Sequence, residues 1–169
     1  RRGLWAAVAI AFAFGAVTGA RNRTLQDEVT LWRDTVAKAP DNPRAHASLG
    51  LALSERGNPR ESLPHFRRAL ELDPASVATE QNIGNAFFAL REFTTATVHF
   101  RRAVQLNPKF ASGYNNLGAT LLELGDTEGA LQSYRTAIAL DPKHANAHQN
   151  LGRALLQVGR FPEAVTAYA

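Results

Sequence analysis

The chain has 169 residues and contains neither cysteine nor methionine. Without cysteine, a disulfide framework and a thiolate metal site are excluded. Of the 19 Lys and Arg residues, Arg1, Arg2, Arg21 and Arg23 flank an apolar N-terminal stretch. The remaining 15 basic residues balance the 15 acidic ones, so we predict no nucleic-acid partner for the rest of the chain.

The first predicted element is an apolar helix. Residues 3–20 carry no charge and a single hydroxyl group, that of Thr18. As a helix they would extend about 27 Å, just enough to cross the hydrocarbon of a bilayer with arginines at both ends reaching the headgroups. The alternative is a signal peptide, because Thr18-Gly19-Ala20 fits a cleavage site. We predict a retained transmembrane helix within 1–23, whose orientation the flanking arginines leave open.

Small residues recur at every fourth position of this helix. They are Gly3, Ala7, Ala11, Gly15 and Gly19. Small side chains let helix backbones approach closely in lipid, where packing drives association. The stripe therefore predicts contact with other transmembrane helices; the alternative is that an alanine-rich segment produces it by chance.

The rest of the chain repeats itself with a period of 34 residues. A fixed period of this length indicates an array of helical repeats. Within one unit, apolar residues keep helical spacing on both sides of Gly125 and Asp126, which predicts two helices joined by a turn. The recurring positions are a glycine (Gly50, Gly84, Gly118, Gly152), an aromatic residue (Phe66, Phe100, Tyr134, Tyr168) and a proline (Pro40, Pro74, Pro108, Pro142).

These residues resemble the tetratricopeptide repeat (TPR), and the resemblance covers 24–169. It implies an all-α fold, a right-handed solenoid of helix-turn-helix repeats preceded by one N-terminal transmembrane helix. It also implies a protein partner. Because an exposed apolar edge is unfavourable, we expect further repeats after 169 or a partner that covers the edge. The predicted segments are the membrane helix 1–23, an adaptor or capping helix 24–42, repeats 43–76, 77–110 and 111–144, and an incomplete fourth repeat 145–169.

Two residues depart from the repeat pattern. Pro64 falls inside a second helix, where it removes a backbone donor and should bend the axis. Arg91 stands where the other turns have glycine, at Gly57, Gly125 and Gly159. We expect a local adjustment of the turn at Arg91.

Motifs of catalysis are absent from the sequence. It contains no phosphate loop, dinucleotide fingerprint, HExxH or GxSxG. We therefore expect no enzymatic activity, catalytic residue or cofactor. His144 and His148 are four residues apart, but no acidic or cysteine ligand accompanies them, so we expect no metal site. The pairs Arg67-Arg68 and Arg101-Arg102 indicate solvated outer faces; the alternative is a docking stripe for an acidic partner.

One asparagine recurs in successive repeats, at Asn82, Asn116 and Asn150, while Ser48 takes its place in the first. The series resembles the asparagine ladder of the O-linked N-acetylglucosamine transferases, which grips extended peptide backbones. An amide can donate to and accept from a peptide group. The alternative is that these amides bond to neighbouring repeats and stiffen the stack. The groove residues implied by the family geometry are Arg44, Leu51, Gln81, Asn82, Asn85, Phe88, Asn115, Asn116, Leu122, Gln149, Asn150, Arg153 and Leu156.

The junction before the repeats carries a second resemblance. Residues 21–50 are similar to the corresponding junction in bacterial multi-span proteins such as the transmembrane and TPR-containing O-mannosyltransferases. This resemblance implies that the repeats are extracytoplasmic, in the periplasm. Our main hypothesis is a membrane-anchored TPR scaffold that docks a protein partner, as a subunit of a membrane complex. The alternative is the C-terminal part of a multi-span glycosyltransferase whose repeats present polypeptide acceptors.

Overall fold

The computed structural model describes residues 27–168. Within that range all regular secondary structure is helical, so the predicted all-α class and TPR helix pairs are confirmed there. None of the described helices is long and apolar enough to cross a membrane. The predicted membrane helix 1–23 and its small-residue stripe lie outside the described residues.

Helix α1 is described over 27–38, and four helix pairs follow it. The chain divides into two compact units, a first unit (Arg1–Leu72) and a second unit (Asp73–Ala169). The pairs are α2 (Pro43–Glu55) with α3 (Pro59–Leu72), α4 (Val77–Ala89) with α5 (Phe93–Leu106), α6 (Ala111–Glu123) with α7 (Thr127–Leu140), and α8 (Ala145–Gln157) with α9 (Phe161–Tyr168).

In the first unit, α1 covers the apolar side of α2. The predicted adaptor helix therefore packs against α2 of its own unit. Trp32 occupies the place that Phe66 or Tyr134 takes in a repeat, and its ring is partly buried. The cluster consists of Val29, Trp32 and Val36 from α1 with Leu49, Ala52 and Leu53 from α2.

Within each pair, a glycine of the first helix lies against an aromatic ring of the second. A Cβ atom added to Gly84 would stand 2.6 Å from Cε1 of Phe100, a distance that real Cβ contacts do not reach. The Phe100 ring is 1% exposed. The same contact joins Gly50 to Phe66 and Gly118 to Tyr134, so the glycine lets the two helices approach closely enough to enclose the ring.

The turns inside the pairs share one hydrogen-bonding pattern. After α6, Gly125 has φ of 82° and its N–H donates to Leu122 O at 3.0 Å, while Asp126 N–H donates to Leu121 O at 2.9 Å. This is the Schellman arrangement, which closes a helix through one left-handed residue. The carboxylate of Asp126 then caps α7 by accepting from Gly129 N–H at 3.0 Å, as predicted.

Arg91 makes the same turn without glycine. Its φ is 61°, its N–H donates to Phe88 O at 2.9 Å, and Glu92 N–H donates to Phe87 O at 2.9 Å. The prediction of a local adjustment of this turn is therefore wrong. The turn has the same two hydrogen bonds as the glycine turns, and Arg91 adopts the left-handed conformation. Helix α3 continues through Pro64, and a bend of its axis there stays a prediction.

Removing a buried ring tests the importance of the glycine contact. Phe100→Ala should lower the free energy of unfolding by about 3–5 kcal/mol, because it leaves a cavity that the glycine side cannot fill. Chemical denaturation followed by circular dichroism measures the loss. Phe161→Ala is the control, since that ring is 62% exposed and should change stability by only about 0.5 kcal/mol. Equal losses in the two variants would contradict the proposed role of the ring.

Replacing the strained arginine should stabilise the protein. Arg91→Gly should raise the free energy of unfolding by about 0.5–1 kcal/mol, because a non-glycine residue at positive φ is strained. The gain is reduced by losing an exposed contact with the Phe93 ring, 5.2 Å from the guanidinium carbon to the ring centroid.

Gly125→Ala is the matched reverse change at the equivalent turn. No atom lies within 4 Å of its added Cβ, so the expected loss of about 1 kcal/mol comes from backbone conformation alone. Thermal melts of both variants check the pair. A destabilised Arg91→Gly variant would show that the arginine's contacts outweigh its strain.

Candidate functional site

The candidate site is a polar face in the second unit. It lies on α4, α6 and α8, the first helices of three successive pairs, and α6 contacts both of the others. Helical spacing puts the predicted groove residues of each helix on one side of it. These residues are Gln81, Asn82, Asn85 and Phe88 on α4, Asn115, Asn116 and Leu122 on α6, and Gln149, Asn150, Arg153 and Leu156 on α8.

Hydrogen bonds between amides join the three helices. Asn116 Nδ2 donates to Asn85 Oδ1 at 3.3 Å, linking α6 to α4. Asn150 Nδ2 donates to Asn115 Oδ1 at 3.0 Å, linking α8 to α6. Asn115 Nδ2 donates to Asn116 Oδ1 at 3.3 Å, so the two links are connected. The four side chains form one amide chain across three repeats.

The amide chain differs from the predicted series. Asn116 and Asn150 belong to it. The side chain of Asn82, in contrast, makes no hydrogen bond to another described residue, and Asn82 is partly exposed. Asn115, predicted only as a flanking residue, is at the centre and 8% exposed. The structure therefore contains the stiffening contacts of the alternative interpretation, while Asn82 keeps its hydrogen-bonding groups available. Whether the face binds a peptide stays a prediction.

Apolar side chains and few charges complete the face. Phe88 packs edge to face against Phe93, with ring centroids 5.3 Å apart, and Leu156 is 45% exposed. Arg153 is exposed, and Arg91 pairs with Glu123 at 3.6 Å. A face of amides with balanced charges suits a polypeptide backbone better than a highly charged ligand.

The other two predicted groove residues lie in the first unit. Arg44 and Leu51 are both on α2 and both exposed, Leu51 by 42%. They share a unit with Ser48, which takes the place of the recurring asparagine. The amide chain described above belongs wholly to the second unit.

The two histidines considered as metal ligands bond to different groups. His144 Nε2 lies 3.2 Å from Ser112 Oγ, and its Nδ1 accepts from Ala147 N–H at 3.3 Å. His148 Nδ1 lies 3.0 Å from Ala167 O, and its Nε2 lies 3.1 Å from Pro142 O. Each of these ring nitrogens lies at hydrogen-bond distance from a different partner. The spacing of four residues therefore does not bring the two histidines to a shared ligand.

The outer arginines border a separate cavity in the second unit. Arg101 and Arg102 line a space of about 450 Å³ beside His99 and the 7% exposed carboxylate side chain of Glu80. Both arginines are exposed. Because the buried carboxylate of Glu80 faces the same cavity, the cavity is a poor site for an acidic ligand.

Sequence reasoning missed two pairs of titratable residues. His46 and His65 stack with ring centroids 5.9 Å apart, and His99 Nδ1 lies 2.8 Å from Glu80 Oε2. Both pairs are 19 residues apart in the sequence and occupy equivalent places in successive repeats. Comparing the repeats at that spacing would have found them.

Comparison with known proteins agrees with the helix pairs. Family models described as TPR repeat match residues 84–125 and 120–159, and a tetratricopeptide repeat model matches 43–76. No curated protein matches the chain. The structure of MamA is similar, with 25% identity and a TM-score of 0.78 over 89% of this chain and 90% of that chain.

Two further structures share the fold. One is YrrB, described as a TPR protein with an unusual peptide-binding site, with 20% identity and a TM-score of 0.70 over 80% of this chain and 70% of that chain. The other is the first TPR of Spaghetti bound to an HSP90 peptide, with 22% identity and a TM-score of 0.67 over 69% of this chain and 93% of that one.

Proposed function

Because the chain belongs to the tetratricopeptide repeat family, with models matching in all three full repeats, we propose that it is a scaffold for protein–protein interaction without a catalytic step of its own. The amide-lined face of α4, α6 and α8 is its binding surface. The observation that carries this proposal is the chain of amides across three repeats. YrrB, a TPR protein with an unusual peptide-binding site, and the first TPR of Spaghetti, bound to an HSP90 peptide, share the fold.

The ligand that suits this face is an extended segment of a protein partner. An extended strand presents its own N–H and C=O groups, and each can bond to an amide whatever the side chains are. Net contributions of about 0.5–1.5 kcal/mol for each bond add to a useful affinity. The balanced charge of the repeats makes electrostatic steering secondary.

Two single substitutions separate binding from stiffening. The side chain of Asn82 makes no hydrogen bond to another described residue. Asn82→Ala should therefore lower the affinity for a bound peptide by about 0.5–1.5 kcal/mol and leave stability unchanged. Asn115 is 8% exposed and bonds to two asparagines. Asn115→Ala should lower the free energy of unfolding by about 1–3 kcal/mol, because it removes two amide hydrogen bonds at a buried position.

The measurement uses a peptide selected against the full chain from a random library, with calorimetry for affinity and thermal melts for stability. Replacing Asn82, Asn116 and Asn150 together by Ala should lower affinity by about 1.5–4.5 kcal/mol and should also lower stability, because it breaks both links between the repeats. A loss of stability with no change in affinity would show that these amides only stiffen the stack. Replacing Arg67, Arg68, Arg101 and Arg102 by Gln is the control and should change affinity little, and raised salt should have a weak effect. Binding that ignores the asparagines but falls with the arginines would move the interface to the outer face.

We also propose that residues 1–23 anchor the scaffold in a membrane, with the repeats on its extracytoplasmic, periplasmic side. The support is the uncharged run 3–20 flanked by arginines. Alkaline carbonate washing of membranes should leave the full chain in the pellet. Gly15→Leu with Gly19→Leu should keep it there but reduce recovery of associated membrane proteins, because added bulk prevents close helix contact. Release by carbonate would refute the anchor, and unchanged recovery would refute only the packing.

The glycosyltransferase alternative rests on the similarity of the junction 21–50 alone. Several hydrophobic spans encoded upstream of Arg1 would favour it. An initiator methionine within a few residues of Arg1 would favour the single-span scaffold.

A further inference from the structure

In the first helix pair, two histidine rings stack on each other. His46 on α2 is 7% exposed. Its ring stacks on that of His65 on α3, with centroids 5.9 Å apart and planes inclined by 25°. In the third pair the equivalent places hold Tyr114 and Ser133, which do not titrate as histidine does.

The hydrogen bonds of His46 fix where its proton lies. Nε2 is 2.9 Å from Pro40 O, a carbonyl that can only accept, so Nε2 carries the hydrogen. Nδ1 is buried and has no hydrogen-bond partner among residues 27–168. A second proton on this ring would create a buried N–H without an acceptor, which is unfavourable.

The surroundings of His65 disfavour its protonated form. Partial burial lowers its pKa, and the neighbouring His46 and then the positive charge of Arg33 on α1 lower it further. Glu61, one turn earlier on α3, lies 3.9 Å from Arg33 in an exposed ion pair. A positive charge on His65 would therefore be disfavoured by partial burial, by a second imidazole and by a guanidinium.

We propose that the His46–His65 stack makes the first unit acid-sensitive, so that protonation separates α2 from α3 while the second unit stays folded. The sign follows from linkage. A histidine whose folded-state pKa lies below the unfolded value of about 6.5 stabilises the fold above that pH. The contribution decreases as pH falls through about 6.5, because the unfolded state then binds the proton that the folded state refuses.

The second unit provides the internal comparison. At the equivalent place in the second pair, His99 Nδ1 faces the carboxylate of Glu80 at 2.8 Å, and the His99 ring stacks on Phe87 with centroids 5.6 Å apart. Here the imidazole faces a carboxylate that can accept a hydrogen bond, which buried Nδ1 of His46 lacks. The two pairs are alike in position but differ in what faces the imidazole, so we expect acid sensitivity in α2 and α3 only.

Amide hydrogen exchange of the full chain tests the proposal. Between pH 7.5 and 5.5, protection factors in α2 and α3, corrected for intrinsic exchange, should fall by up to about tenfold, the limit for one histidine that stays neutral. Those in α4 and α5 should not fall. Equal behaviour of the two pairs, or constant protection in α2 and α3, would overturn the proposal.

Two variants identify the residues responsible. His46→Tyr with His65→Ser installs the residues of the third pair and should remove the pH dependence of α2 and α3. His65→Ser alone is the milder change if the double variant does not fold, and it should reduce the fall because it removes the stack. A fall that persists in full in His65→Ser would refute the role of the stack.

Titration of the unmodified protein by NMR provides the direct readout. At pH 6.5, where a free histidine is about half protonated, the ring signals of His65 should show a smaller protonated fraction. A half-protonated His65 at that pH would contradict the proposal regardless of how the variants fold.

Discussion

The close contact between a glycine on one helix and an aromatic ring on the next sets the geometry of each helix pair. At Gly84, a methyl group in place of hydrogen would overlap the Phe100 ring. The ring in turn fills the space that the glycine leaves, and almost none of it reaches solvent. Because interiors are packed to high density, neither partner can change alone.

This contact also determines which side of the first helix is left for other partners. The side of α4 that carries Gly84 is turned toward α5, and Asn85, about 100° further around the helix axis, bonds to α6. Successive pairs of the second unit meet through the packing of α5 on α6 and of α7 on α8. The amide contacts between the first helices add polar links to that packing.

The sequence alone predicted features that recur at a fixed spacing. The helix pairs, the buried rings and three of the four turns follow from the 34-residue period, because each depends on residues close together in the chain. Arg91 could not be foreseen: a preference of about 1–2 kcal/mol against left-handed φ is overcome by two turn hydrogen bonds and the packing on both sides. The His46–His65 stack was readable in principle, since its equivalent recurs one repeat later as Glu80 and His99.

The central position of Asn115 could not be read in the same way. Asn115 and Asn116 are neighbours on α6, separated by about 100° around the helix axis. Which of them turns toward the next repeat depends on the angle between successive pairs, and no local pattern encodes that angle. The amide of Asn115 is oriented by Asn150, 35 residues away.

The amide chain also has a direction. Asn150 donates to Asn115, Asn115 to Asn116 and Asn116 to Asn85, so every hydrogen bond of the chain runs in the same sense. Hydrogen bonds in series polarise one another, and the two ends of the chain are unlike. Asn85 ends it with amide hydrogens and Asn150 begins it with a carbonyl oxygen, which makes the face polar from end to end. A strand lying along it is not symmetric either, so the two possible orientations of that strand differ in energy.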